Sequence, residues 1–309
     1  MSLKRKAIVV GAGFSGLAVC YNLLINGWDV DIYDKKPLGL GASGMAAGLV
    51  HSFAGEAASK SLEADDAILA SNNLFNVAEQ ILKMPIRTSG GIIRPALTEA
   101  QMKAYEKCAL KFPLEASWDG SKLWILNGCA INTNLYLKGL WLACKQLGAR
   151  LYEKKMDHFL PSNIVIWATG ADMREHVNVE VTKVRGQLLE VAWPEGIEPL
   201  QLPISSKIYV VMTPEGKSCF VGSTYERERQ DDIPDVDFAR RAILPKIIPL
   251  LPFLENMPIL NCRAGVRAST PNHRPFAKHI EGNVFAIGGM GSKGLLYHAL
   301  YAKKLIDLL

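Results

Sequence analysis

At 309 residues, with 49% hydrophobic and 21% charged side chains, the chain has the balance of a globular protein large enough for a sizeable core and two joined domains. Its formal charge of +5 suits phosphate-bearing ligands but falls far short of a nucleic-acid-binding signature, and no long unbroken apolar run points to a membrane span. The six cysteines are scattered, with no C-x-x-C pair and no Cys/His cluster, so no metal site is expected and a reducing, cytoplasmic setting is.

The first element is the most informative. Residues 7–10 are a short apolar strand, and Gly11, Gly13 and Gly16 follow with G-x-G-x-x-G spacing as a helical pattern begins. Gly11 permits a tight turn, Gly13 lets backbone amides approach a pyrophosphate, and Gly16 lets helix and strand pack closely. A second strand ends at Asp34, whose carboxylate can accept from a ribose. This combination predicts dinucleotide binding at a helix N-terminus, where Phe14 and Ser15 supply amides. The competing reading is an ordinary β-α-β unit whose glycines serve packing only. Lys4, Arg5 and Lys6 before an apolar run imitate a secretory signal, but three glycines interrupt that run and no small-residue cleavage site closes it.

Residues 39–48 are a run of glycines and small residues suited to lying against a flat ligand, the alternative being a flexible surface loop. Helical periodicity covers 56–84, a strand is expected near 92–94, a helix over 99–112 and a strand over 123–126. Asn132 caps a helix over 135–147 that stops at Gly148. A strand over 149–153 and a buried strand ending in Ala168, Thr169 and Gly170 come next. Strands over 183–191, 208–212 and 219–222 predict an antiparallel sheet, followed by a helix over 238–251 that Pro252 ends. The chain closes with an apolar strand, a glycine turn over 288–294 and a helix over 295–308. Opening and closing on strand–glycine-turn–helix units predicts an α/β protein. A Rossmann-like nucleotide-binding domain, discontinuous in sequence (1–50, 130–175 and 262–309), would receive an inserted, mainly antiparallel β-sheet with helices (51–129 and 176–261) as substrate domain.

The order of these blocks resembles the D-amino-acid oxidase-like family of FAD enzymes over nearly the whole chain. The resemblance rests on Val10-Gly-Ala-Gly-Phe-Ser-Gly16, Gly41-Ala-Ser-Gly44, Ala168-Thr-Gly170, Val184-Arg-Gly-Gln187, Gly222-Ser-Thr-Tyr-Glu226, Arg263-Ala-Gly-Val-Arg-Ala-Ser-Thr-Pro271 and residues 283–294. Three blocks look closest to the oxidase domain of bifunctional tRNA wobble-uridine modification enzymes, which removes a carboxymethyl group from a carboxymethylaminomethyl-uridine. The companion methyltransferase domain is missing from this sequence, and the link between the strands near 153 and 164 is short for the family.

The resemblance implies FAD, held non-covalently, and hydride transfer to it from the carbon beside an amine. Gly11, Gly13, Phe14, Ser15, Gly16, Asp34 and Lys35 would bind its nucleotide end together with Thr169 and Gly170. Ala42, Ser43, Ala47 and Gly48 would run beside the ring, and Gly289, Gly291, Ser292, Lys293 and Gly294 would face its pyrimidine edge. Arg267 matches the family arginine that clamps a substrate carboxylate; a structural salt bridge is the competing role. Lys293 would add a cation at the flavin or act on dioxygen, or else point to water. Tyr225 would close over the substrate or stand as a rim aromatic. The substrate is then a small amine or amino acid, with a tRNA nucleoside as rival; Arg227, Arg229, Arg240 and Arg241 could offer phosphate contacts. A flavin-binding partner or assembly factor without catalysis is the alternative function, and binding of NAD alone a third. The sequence leaves the oligomeric state open.

Overall fold

The structure, a computed structural model, describes residues 5–156 and 163–309. Lys4 and most of the short link after Glu153 lie outside the described residues. Three distant stretches of chain build one six-stranded sheet. Its order is Arg150–Glu153, Asp29–Asp34, Lys6–Val10, Ile164–Trp167, Val284–Gly288 and Phe276–Glu281. The first five strands run parallel and only the last is antiparallel. Ile8 lies opposite Asp31 on one side and Val165 on the other. A parallel sheet is covered on both faces, which explains why Ala7, Val9, Val30, Ile32, Val165 and Ile166 are buried.

Helices Phe14–Ile25, Thr133–Gln146 and Gly294–Ile306 cover one face, and helix Ala64–Leu82 packs on the latter two. Leu17, Leu23, Phe75, Tyr136, Leu140 and Leu305 form its continuous core, each such side chain worth about 1.5–3 kcal/mol when fully buried. Helix 64–82, expected in the substrate part, thus packs on the helices that cover the six-stranded sheet. Ala67, Ala70, Leu74 and Ala78 all fall on its inward stripe, and Gly139 lets it approach so closely that a Cβ there would come within 2.9 Å of the Ala78 carbonyl oxygen.

The second sheet has eight strands in the order Ile259–Ser269, Thr182–Ala192, Ser218–Gly222, Tyr209–Met212, Ile204–Ser205, Ile92–Pro95, Lys122–Ile125 and Ala116–Trp118. Every pairing is antiparallel except the single contact Ile204–Ile93. Helix Val236–Ile247 backs this sheet through Ala239, Ile243 and Ile247. Strand Ile259–Ser269, which the sequence boundary near 262 assigned to the nucleotide part, runs along this sheet instead, eleven residues long and paired with Thr182–Ala192. The helix expected from residue 56 starts at Ala64, because Gly55, with φ +69°, turns the chain into a short hairpin between Phe53–Ala54 and Ser59–Lys60. Among the described residues no helix is long and apolar enough to cross a membrane.

Candidate active site

The carboxyl ends of strands Lys6–Val10, Asp29–Asp34 and Ile164–Trp167 meet at the first glycine turn. Gly11 sits at φ +108°, and its N–H donates to the Tyr33 carbonyl at 2.7 Å. A Cβ on Gly11 would overlap the Ala168 carbonyl, and one on Gly16 would overlap the Gly11 carbonyl. Gly16 therefore serves packing and lines no cavity. Gly13 is different: a Cβ there would come within 2.9 Å of Ser43 Oγ, a hydroxyl that accepts from the Phe14 N–H at 3.1 Å. Helix Phe14–Ile25 has a glycine at its N-cap and no acidic residue in its first turn; the neutral Ser43 hydroxyl takes one of its free N–H groups, and the positive end favours an anion. Asp34 accepts from the backbone N–H groups of Ala12 (2.8 Å) and Lys36 (2.9 Å), which fixes its carboxylate at the strand end.

A cleft runs from here along the seam between the two sheets. Its outer lobe, about 500 Å³, is lined by Gly11, Gly13, Asp34, Lys35, Ala42, Ser43, Thr169 and Gly170. Lys35 rims it, but its ammonium pairs with Asp172 at 2.7 Å, and Lys36 pairs with Asp232. Burial pushes the Asp172 carboxyl up, yet the hydrogen bond and charge of Lys35, with Lys183 nearby, outweigh this and hold it below its ordinary value. The inner lobe, about 230 Å³, shares Gly13, Ala42, Ser43, Ala168, Gly170 and Gly265 with the outer one, so the two are continuous. Phe14, Ser15, Ala47, Gly48, Arg267, Gly289, Gly291, Ser292 and Gly294 line this end.

Arg267 stands on strand Ile259–Ser269 opposite Val184 and reaches into the inner lobe. Its guanidinium lies where a Cβ on Gly186 would be, and Nη2 donates to Ser223 Oγ at 2.7 Å. Among the residues lining the inner lobe it is the one charged side chain, and none is acidic. Tyr209 also lines this lobe. Burial raises its pKa, partly offset by the Arg267 charge and a hydrogen bond with Ser223.

Besides Gly16, two of the expected residues stand outside the cleft. Tyr225 is 55% exposed and carries Arg227 over its ring at 5.6 Å, since Ser223 and Thr224 turn inward and leave the next side chain facing out. Lys293 lies just before the terminal helix, but its ammonium sits 5.9 Å from the Tyr297 ring rather than on the inner lobe. Burial lowers its pKa. His51, near Lys293 and Arg94, is held down to about 4, chiefly by burial, and its Nδ1 has no partner among the described residues. Arg229 is taken up by Asp231 and Asp235, and Arg263 stacks over Phe220 at 4.5 Å. Among the described residues no group of His, Cys, Asp or Glu could hold a metal ion.

Tyr209, Gln187 and Ser223 were not legible as site residues. The pairing of Tyr209 with Gly222 brings the first beside the third, and no local sequence signal announces that register.

The description that matches this chain over residues 6–308 is DAO, FAD dependent oxidoreductase. The chain belongs to this family. As an FAD-dependent oxidoreductase it needs a cradle for an extended dinucleotide, and the bare Gly13, the helix N-terminus free of acidic residues, Asp34 and the continuous two-lobed cleft fit one. It is similar to the tRNA 5-methylaminomethyl-2-thiouridine biosynthesis bifunctional protein MnmC of Polaromonas naphthalenivorans, 24% identical over 97% of this chain and 56% of the relative. The chain thus spans about half the length of that curated relative. Glycine oxidase from Geobacillus kaustophilus shares the fold at a TM-score of 0.83 and 20% identity, covering 99% of this chain and 95% of the other. Iminodiacetate oxidase from Chelativorans sp. BNC1 does so at 0.82 and 17%, covering 97% and 94%.

Proposed function

We propose that this FAD-dependent oxidoreductase oxidises the C–N bond of a glycine-like or D-amino-acid amine, with Arg267 holding the substrate carboxylate. The observation that carries this reading is the charge pattern of the inner lobe: one guanidinium, no carboxylate. A planar fork suits a carboxylate through two parallel hydrogen bonds, and with no acid present a cationic ammonium has no counter-charge. The lobe therefore favours a substrate with one carboxylate and a neutral amine.

FAD, when bound, supplies the hydride acceptor. The outer lobe would take its nucleotide end, with Asp34 on the ribose and the amides of residues 13–15 on the pyrophosphate. Ala47, Gly48 and the turn Gly289–Gly294 would hold the ring, the terminal helix N-terminus facing its developing negative charge. Arg267 and Tyr209 orient the substrate, and such positioning can supply several kcal/mol of barrier lowering. No residue need act as a strong base if the amine arrives neutral.

The finer substrate is either a free amino acid or the carboxymethylaminomethyl group of a tRNA wobble uridine. The names of the MnmC relatives support the second. We propose a nucleotide part built on the six-stranded sheet and a substrate part built on the eight-stranded one. All six cysteines are free, which suits a reducing cytoplasm.

The test is anaerobic bleaching of the flavin by glycine, sarcosine, D-alanine, methylamine and tRNA bearing the carboxymethylaminomethyl group. Bleaching by carboxylate-bearing amines and not by methylamine is the expected result. Equal bleaching by methylamine, or none by any of them, contradicts the proposal.

A further inference from the structure

Behind Arg267 lies a buried polar network that no step above uses. Arg185 is fully buried, and its Nη1 donates to Glu226 Oε2 at 2.9 Å. The two residues also exchange backbone hydrogen bonds, Arg185 N–H to Glu226 O at 2.8 Å and Glu226 N–H to Arg185 O at 2.9 Å. Glu226 Oε1 accepts from Thr224 Oγ1 at 2.5 Å and from Gln187 Nε2 at 3.1 Å. Thr224 is bound again through its Oγ1, which accepts from Gln187 N–H at 2.7 Å, and through its own N–H, which donates to Gln187 O at 3.1 Å. The residue before Thr224 is Ser223, whose Oγ accepts from Arg267.

A buried ion pair is costly to desolvate, and replacing one by apolar side chains is often neutral or stabilising, so stability alone does not account for it. A network whose members are nearly all satisfied does fix a unique local geometry. Here that geometry ends on the hydroxyl that steadies the Arg267 guanidinium.

We infer that Glu226 is a positioning residue: anchored by Arg185, its carboxylate holds Thr224 and thereby sets Ser223 and the guanidinium of Arg267 toward the inner lobe. This rests on the reading of Arg267 as the carboxylate contact. Glu226 touches neither substrate nor cofactor in this scheme.

The experiment uses the flavin-loaded full chain with Thr224→Val, Thr224→Ser, Glu226→Gln and Arg267→Ala. Thr224→Val keeps the side-chain shape and the buried charge pair while removing the hydroxyl that bonds Glu226 and accepts from the Gln187 N–H, so it avoids stranding Arg185. Anaerobic flavin bleaching is measured against the concentration of glycine or sarcosine, whichever bleaches the parent protein, and normalised to bound flavin. Thr224→Val should raise the half-saturating concentration about tenfold, roughly the worth of one hydrogen bond, with the limiting rate nearly kept. Thr224→Ser should restore it, and Glu226→Gln molecules that retain flavin should show the same split. A purely structural role would lower flavin content or melting temperature and leave the half-saturating concentration of loaded molecules unchanged; that result overturns the inference. If Arg267→Ala raises the concentration and Thr224→Val does not, this inference alone fails. If Arg267→Ala has no effect, the reading beneath it fails first.

Discussion

Replacing Arg267 by Ala removes the one charge that lines the inner lobe. Its guanidinium spends a single observed donor on Ser223, leaving the rest of its fork for a ligand. Truncating one partner of a hydrogen-bonded charge pair costs about 2–5 kcal/mol, and the half-buried setting of Arg267 argues for the lower part of that range. A loss of about 2–4 kcal/mol corresponds to a fall of roughly 30- to 900-fold in kcat/KM. Arg267→Lys keeps the charge but not the planar fork and should fall between, about tenfold down. The assay is stopped-flow anaerobic reduction of bound flavin over a range of glycine concentrations. Flavin content and melting temperature serve as controls, and both should stay near parent values because the side chain makes one polar contact. Flavin retained with kcat/KM within threefold of the parent would refute the reasoning.

Gly13→Ala should weaken FAD binding by at least about tenfold with little change in apoprotein melting, because its Cβ meets only the movable Ser43 hydroxyl and the approach of a phosphate. Gly16→Ala should instead destabilise the apoprotein by about 1–3 kcal/mol, since its Cβ meets the Gly11 backbone carbonyl, as urea unfolding will show. Tyr209→Phe should slow flavin reduction several-fold while Tyr225→Ala leaves it within about twofold, the pattern expected when a hydrogen bond is lost inside the lobe and none outside it. His298 is fully buried, its Nε2 2.5 Å from Tyr136 Oη, and burial pushes its pKa down to about 4 from 6.5. The unfolded chain therefore binds a proton first as pH falls, so stability is complete above about 6.5 and is lost between there and about 4. This one group removes about 2 kcal/mol at pH 5, measurable as a lower urea midpoint than at pH 7. An unchanged midpoint would contradict it.

The first glycine turn and its neighbouring strand end were legible because their geometry is local. Gly11, Gly13, Gly16 and Asp34 lie within one β-α-β unit, and their spacing alone defines a turn, an approach and a packing contact. The inner lobe was legible only through the order of distant blocks, since strand Val284–Gly288 meets strand Ile164–Trp167 through parallel pairing across more than a hundred residues. Tyr225 and Tyr209 show the limit. Both are tyrosines near strand ends, and which one faces the lobe depends on the register of strands Tyr209–Met212 and Ser218–Gly222. A shift of one residue exchanges the faces. Helix Ala64–Leu82 shows the same limit at the domain scale: its period predicts an apolar stripe but says nothing about which core receives it.

In the proposed complex one extended FAD fills the two-lobed cleft with Arg267 beside its ring. A crystal structure of the flavin-loaded protein soaked with a small unreactive carboxylate such as glycolate tests this most directly. The ring is expected between residues 46–49 and 289–292, and the carboxylate within hydrogen-bond reach of the Arg267 guanidinium. A ring elsewhere, or a carboxylate bound away from Arg267, would contradict it.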